Sequence, residues 1–393
     1  MKESIAIKNL GPIKDLTIPE IKPMTVLIGK SSIGKSAVMK AIAMMRYLFK
    51  RENIKSYLKN SNIKKSPIRT NLRSISKLGS LLNSDTEITY TVTVNQSEYR
   101  LTCKNLKIEA TPKTISKDDI YFIKGAYISE SRSFIPSMLE KIVSNRNIKI
   151  GFYEEETLKD FDEATNTETR YLNFMDMLLR VKKTPMRLKS FVIEDKKKGK
   201  SFLLKDASSG IRNSVPVEAI MQYFAGDNFS FKEAFNRSVL SYLLDAEQLD
   251  SFHPIKNLND LHKIMQIHVE EPEISLDPES QTGIIQDLVS ITFHKHCKDR
   301  EFSAMLTTHS PYILNFLNVL MEKFNNDNNC ADGINPEKIA VYLIKDGRAE
   351  NLVVNDEGLN NRKVIDTNWF SDSMEEIYNH YENLVLSNTA GTE

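Results

Sequence analysis

The sequence predicts a mixed α/β fold in two halves, with a helical and β lobe inserted between them, and three stretches carry that expectation. An apolar strand, Met24 to Ile28, runs into Gly29-Lys30-Ser31-Ser32-Ile33-Gly34-Lys35-Ser36, and apolar positions at helical spacing open behind it from Ala37. Far downstream, a strand over Ile264–Val269, a helix over Glu279 to about Lys298, a strand over Phe302–Thr307 and a helix over Pro311–Phe324 alternate in α/β rhythm. Between the two halves, Glu87–Val94 alternates with period two and returns as Glu98–Cys103 and Leu106–Ala110, an antiparallel meander. The expected division is 1–45, 46–205 and 206–393.

The first stretch is a phosphate-binding loop. Gly29 and Gly34 let backbone N–H groups turn inward without Cβ clashes, and Lys35 places a cation against β- and γ-phosphates. Ser36 offers a hydroxyl to Mg²⁺ at a helix N-terminus that already favours anions. The rest of the chain limits the partners of such a loop. At 393 residues, 40% apolar, 27% charged and with a formal net charge of +1, it has the composition of a globular protein with no global field for nucleic acid or membrane. Cys103, Cys297 and Cys330 are odd in number and unspaced, which argues for a reducing compartment and against a disulfide framework. Met1-Lys-Glu-Ser-Ile5 lacks a signal-peptide apolar region and no run approaches ~18 apolar residues, so a cytoplasmic protein off the membrane is expected.

In chain order, Ser4–Lys8 and Asp15–Ile18 read as strands joined at Gly11-Pro12, and Ile21–Ile28 feeds the loop. The helix behind the loop is expected to end near Phe49. From Arg46 to Lys77 ten Lys/Arg stand against one acid, Glu52, a local charge of +9 that suits either a phosphate backbone or a solvated, partner-binding face. Ala126–Ser129 reads as a core strand. Acids dominate from Glu154 to Glu163, and Leu172, Met175, Leu178 and Leu179 follow at helical spacing, so helices are expected through Lys183. Phe191–Glu194 and Ser201–Leu204 form a hairpin with Lys196–Gly199 at its tip. Helices to about Phe224 and over Phe231–Leu249 follow, and the chain closes through a Lys338–Ile344 strand, an Asp346-Gly347 turn and a last strand.

Two further motifs suit nucleotide hydrolysis. In His268-Val-Glu270-Glu271-Pro272-Glu273, adjacent carboxylates follow an apolar strand: Glu270 suits the Mg²⁺ side and Glu271 the attacking water, with Glu273 as the alternative base. In Leu306-Thr-Thr-His309-Ser310-Pro311, a strand ends in a histidine just ahead of a proline placed to start a helix. Ligands of open α/β sheets bind at that edge. The run His294-Lys-His-Cys297 is not expected to bind metal, since positions i and i+2 diverge on a helix.

Together these residues resemble the ATP-binding-cassette heads of the RecF/SMC and OLD-nuclease type, in their stand-alone bacterial branch. The resemblance implies an ATPase using ATP and Mg²⁺. Ser208-Ser209-Gly210 resembles the signature motif that caps the γ-phosphate bound by another copy. Ser275-Leu-Asp277 resembles the D-loop, His309 the switch histidine, and Tyr127–Arg132 the loop that senses Mg²⁺ and water. It further implies a homodimer or higher homo-oligomer closing through its ATP sites, and control of a partner effector, a nuclease or toxin, in anti-phage defence. The alternative within the same resemblance is a DNA repair or recombination ATPase that clamps DNA or RNA. Lys30, Ile33, Glu270 and Arg212 depart from the family's usual residues, which implies slow hydrolysis. The 84 residues after His309 show no acidic cluster of the nuclease kind.

Overall fold

The computed structural model describes the chain except residues 64–75, 142–149, 167–168, 174, 184–188, 198, 228, 246–251, 255–259, 295–299, 328–329, 331, 360 and 390–393. The fold is mixed α/β. Its strands are β1 (Lys2–Leu10), β2 (Ile13–Ile21), β3 (Met24–Ile28), β4 (Glu87–Val94), β5 (Ser97–Lys104), β6 (Lys107–Thr111), β7 (Tyr121–Ile128), β8 (Thr169–Leu172), β9 (Met177–Lys183), β10 (Lys189–Asp195), β11 (Lys200–Leu203), β12 (His262–Glu270), β13 (Glu301–Thr308), β14 (Ile339–Lys345), β15 (Arg348–Asn351), β16 (Val353–Asp356) and β17 (Arg362–Ile365). The helices are α1 (Lys35–Asn60), α2 (Ile135–Lys141), α3 (Phe152–Ala164), α4 (Ser209–Ala225), α5 (Phe231–Asp245), α6 (Pro278–Val289), α7 (Pro311–Asn326) and α8 (Asn368–Thr389).

A six-stranded sheet in the order β15-β14-β3-β13-β12-β7 holds the centre. All its strands but β15 run parallel, and β3 is buried at every position, as a parallel strand covered on both faces requires. Register then aligns the motifs: Thr308 pairs with Ile28, Glu270 with Thr307 and Val269 with Ile128, so the 29–36 loop, the two glutamates, His309 and Glu130 all leave the sheet at one edge. The meander does not stand apart, because β4 pairs with β1 in a five-stranded antiparallel sheet, β2-β1-β4-β5-β6. The 46–205 span thus contributes to both sheets that 1–45 begins.

Three expectations are corrected. Of the stretch expected to be helical from Glu154 through Lys183, the acidic first part lies in α3, but the rest forms β8 and β9, whose Leu179 and Val181 are completed by pairing with Ile193 and Phe191 of β10, a long-range choice that short apolar runs do not encode. The helix α1 continues past Phe49 to Asn60. Its second half looks polar, yet Asn53 and Ser56 are buried and bonded: Tyr121 N donates to Asn53 Oδ1 and Ile115 N to Ser56 Oγ, each at 2.9 Å. Much of the basic stretch is therefore engaged within the chain. Arg46 faces the core, Lys55 pairs with Glu52 at 3.2 Å and Lys59 Nζ donates to Thr114 at 2.8 Å, while Lys64, Lys65, Arg69 and Arg73 lie outside the described residues. The helix expected to reach about Lys298 is α-helical only to Val289, where α6 widens into a π-helical turn over Ser290–His294; His294 meets the Gly333 carbonyl at 2.7 Å, and the rest of that run through Cys297 lies outside the described residues. Among the described residues no helix is long and apolar enough to cross a membrane.

A buried polar network joins the two main sheets. Arg46 of α1 donates from Nε to Glu3 Oε2 at 2.8 Å and from Nη2 to Glu3 Oε1 at 3.1 Å, Tyr90 donates to the same carboxylate, and Arg46 Nη1 meets His268 Nε2 at 3.0 Å. Because Arg46 can only donate, His268 Nε2 accepts, and Nδ1–H donates to the Ala126 carbonyl at 3.0 Å. Burial, then the Arg46 charge, lowers the His268 pKa to about 3. As pH falls below ~6.5 the unfolded chain gains a proton that the folded chain refuses, so stability is expected to fall by up to about 1.4 kcal/mol per pH unit toward pH 3. Urea titrations at stepped pH check this: His268→Asn is expected to flatten that slope.

Candidate functional site

The loop from Gly29 to Ser36 connects the centre of the sheet to the N-terminus of α1. Gly29 has φ +154°, and a Cβ there would lie 2.5 Å from the Ile344 carbonyl oxygen, so the adjacent strand β14 leaves room for no side chain. Lys30, Ser31 and Ser32 are exposed on the outer arc of the loop; Ile33, Gly34 and Ser36 are half-buried, and Ala37 is buried under the first turn of α1. Lys35 points back into the loop. Its ammonium donates to the Gly29 and Lys30 carbonyls at 3.0 and 3.1 Å and lies 2.7 Å from His309 Nε2. Burial lowers its pKa, while Glu271 and Glu273 pull the other way.

His309 stands between that lysine and Glu271, whose Oε1 is 3.3 Å from the same Nε2. Glu271 has a left-handed backbone, φ +41°, which is strained for a residue with a Cβ. Its N–H donates to the Thr307 carbonyl at 3.0 Å. Its own carbonyl accepts from Arg132 Nη2 at 2.7 Å. Glu273, the alternative base, is occupied otherwise: its Oε1 accepts from Thr308 Oγ1 and from the His309 N–H, both at 2.7 Å, fixing the backbone that carries the histidine. Burial raises the Glu273 pKa against those hydrogen bonds.

Glu270 is fully buried at the end of β12. Its Oε2 accepts from the Glu130 N–H at 3.1 Å, and Lys40 Nζ of α1 approaches Oε1 to 3.3 Å without a hydrogen bond being completed there. Arg132, wholly buried, donates to four carbonyls: Ser129 at 3.2 Å, Glu270 at 2.6 Å, Glu271 at 2.7 Å and, through Nε, Asn213 of α4 at 2.9 Å. Burial lowers its pKa to about 10 despite four nearby glutamates. One guanidinium thus ties the backbone of both glutamates to the helix that begins at Ser209. Sequence reasoning placed Arg132 only within a loop and did not single out Lys40, although Lys40 lies one helical turn beyond Ser36 on the same face of α1.

The remaining site residues form a second group. Ser208 caps α4, accepting from Ile211 N at 3.4 Å, and Ser208 and Ser209 are exposed. A Cβ on Gly210 would lie 2.8 Å from the Ser275 carbonyl oxygen, so α4 begins directly against the 275–277 turn. Asp277 caps α6, accepting from Ser280 N at 3.0 Å and Ser280 Oγ at 2.7 Å. No hydrogen bond joins Ser208–Gly210 to the 29–36 loop, and α4 has no extended packing against α1 or β3 among the described residues. The structure therefore brings Lys35, His309, Glu271 and Glu270 to one place and sets Ser208–Gly210 with Asp277 in another.

No family model matches the chain, and no curated protein matches it in sequence. Among solved structures it is similar to an Smc head bound to the C-terminal winged-helix domain of ScpA, at 12% identity, 91% of this chain and 99% of that one, with a TM-score of 0.42. A Pyrococcus furiosus Smc head with an extended coiled coil, bound to the C-terminal domain of ScpA, matches at 10% identity over 96% and 99% of the two chains, TM-score 0.39. A dimeric bacterial ABC transporter cassette matches at 11% identity over 88% and 96%, TM-score 0.30.

Proposed function

We propose that this chain is an ATP-binding and hydrolysing switch whose sites are completed by a second copy. The observation that carries this reading is the convergence of Lys35, His309 and Glu271, 2.7 and 3.3 Å apart through one imidazole nitrogen, at the edge where a phosphate loop leaves the sheet. The loop residues Gly29 to Ala37 bind the phosphates, Glu271 takes the proton of the attacking water, and His309 reports the γ-phosphate to both. Ser36 and Glu270 would hold Mg²⁺. The buried Glu270 Oε1, which completes no hydrogen bond, suits a hard cation. Among the described residues no cluster of three or more His, Cys, Asp or Glu forms a cage, which fits an ion that takes one or two carboxylates and phosphate oxygens. When bound, Mg²⁺ supplies charge neutralisation at the β- and γ-phosphate oxygens. The Ser208–Gly210 group, whose two serines are exposed and which is separate from the loop of its own chain, closes the loop of the second copy together with Asp277.

Arg132 positions this machinery, since it fixes the strained backbone of Glu271 and reaches α4. Arg132→Lys keeps the charge and loses the fork. It is expected to lower kcat by about 10–100-fold while leaving nucleotide affinity unchanged, measured by phosphate release beside fluorescent-nucleotide titration.

The switch is read out by a partner effector, a nuclease or toxin, in anti-phage defence; the resemblance of the motif set supports this part. Expressing the chain with its adjacent gene against a phage panel tests it: protection should need both genes and vanish with Lys35→Ala. If the neighbour is dispensable, no protection appears, and deletion instead sensitises cells to DNA damage, the DNA-clamping alternative replaces it.

A further inference from the structure

An open cavity of about 550 Å³ lies at the end of the central sheet remote from the 29–36 loop. Ile339 and Ala340, which line it, pair with Met24 and Thr25 at the start of β3, whereas the loop leaves β3 at its far end. Its volume falls in the range that holds small ligands, roughly 300–1,000 Å³. One wall belongs to the antiparallel sheet. Lys2 pairs with Thr93 and Ser4 with Thr91, so period-two alternation sets these four side chains on one face of β1 and β4. Lys22 follows Ile21, the partner of Glu3, and turns to the same side. All five line the cavity.

The donors of this wall are unspent. Among the described residues Lys2, Ser4, Thr91 and Thr93 complete no side-chain hydrogen bond, and Lys22 meets Glu20 only at 4.0 Å, beyond hydrogen-bond reach. The carboxylates nearby are mostly engaged: Glu3 is held by Arg46 and Tyr90, Glu337 by Lys363 of the cavity rim at 2.6 Å, and Glu20 is half exposed. The facing wall is apolar, with Pro19, Ile339, Ala340 and Val353 around Tyr342, whose hydroxyl is already committed to the Glu20 carbonyl at 2.8 Å. Two ammonium groups match the charge of a phosphate monoester, and with three hydroxyls they supply the donors that its terminal oxygens accept, while the apolar wall suits a carbon skeleton. We propose that this cavity binds a phosphorylated small molecule, its phosphate against Lys2, Lys22, Ser4, Thr91 and Thr93 and its carbon skeleton against Ile339 and Val353. The site is separate from the nucleotide loop and does not rest on the ATPase reading.

Calorimetric titration of the full chain with AMP and with glucose monophosphate, beside adenosine and glucose, tests it. At least one ester is expected to bind about tenfold or more tightly than its unphosphorylated counterpart, and the tighter of the two tells a nucleotide from a sugar phosphate. Lys2→Met/Lys22→Met keeps both stems and should weaken that binding by about tenfold or more; Thr91→Val/Thr93→Val keeps the shape of the strand and should weaken it by roughly fivefold or more. Both variants should melt with the parent, and Lys35→Ala should bind the ester as the parent does. No binding of either ester, equal affinity for ester and alcohol, or parental affinity in both cavity variants overturns the proposal. So does an ester affinity that Lys35→Ala removes, which would place the ester in the nucleotide loop.

Discussion

Glu271→Gln is expected to bind ATP as the parent does and to lose turnover by ~10²–10⁴-fold, the range for removing a general base. The substitution keeps the size of the side chain that approaches His309 to 3.3 Å and removes the carboxylate that accepts the proton. The structure also separates Glu271 from its rival. Glu273 spends Oε1 on Thr308 and the His309 N–H, two hydrogen bonds that an amide oxygen still accepts, so Glu273→Gln should keep His309 in place and retain most of the base-dependent reaction, whereas Glu271→Gln should leave almost none. Phosphate release under saturating ATP, with bound nucleotide counted in parallel, distinguishes them. A Glu271→Gln rate equal to the parent's would move the base elsewhere.

Lys35→Ala is expected to lose affinity for ATP itself, not only turnover. Lys35 is 4% exposed and its ammonium is held by two loop carbonyls and His309, so its removal takes a buried, pre-aimed cation from the loop. Truncating one partner of such a charged contact costs about 2–5 kcal/mol, a loss of roughly 30- to several thousand-fold in affinity. Titration with a fluorescent ATP analogue reads it directly, and near-parental affinity would contradict the loop assignment.

How much of this was legible in the sequence depends on how local each feature is. The strand, loop and helix around Gly29–Ser36 are contiguous, so periodicity and two glycines suffice to find them. The carboxylates and His309 were legible for the same reason, each following an apolar strand, and parallel register places them at one edge. The second half of α1 was not, because its buried Asn53 and Ser56 read as surface until the chain near Ile115 and Tyr121 supplies their partners. Nor were β8 and β9, since Leu179 and Val181 become strand residues only by pairing with β10. Arg132 shows the limit most clearly: its four carbonyls come from positions 129, 213, 270 and 271, and no spacing in the sequence announces a donor whose acceptors are spread over three elements.

The central claim, that one copy's loop is closed by another copy's Ser208–Gly210, is tested most directly by mixing two inactive variants. Gly210 is unsuited to this, because a side chain there would collide with Ser275 in its own chain. Ser209 is exposed at the start of α4, where a glutamate is tolerated by the helix yet repels a γ-phosphate. Ser209→Glu and Lys35→Ala should each be inactive alone. Mixed in equal amounts, they should recover about a quarter of the parental ATP turnover, since half the dimers are mixed and each of those keeps one intact site. Activity that stays at the level of the separate variants, with mixed dimers demonstrated in the same sample, would show that the site does not form between copies.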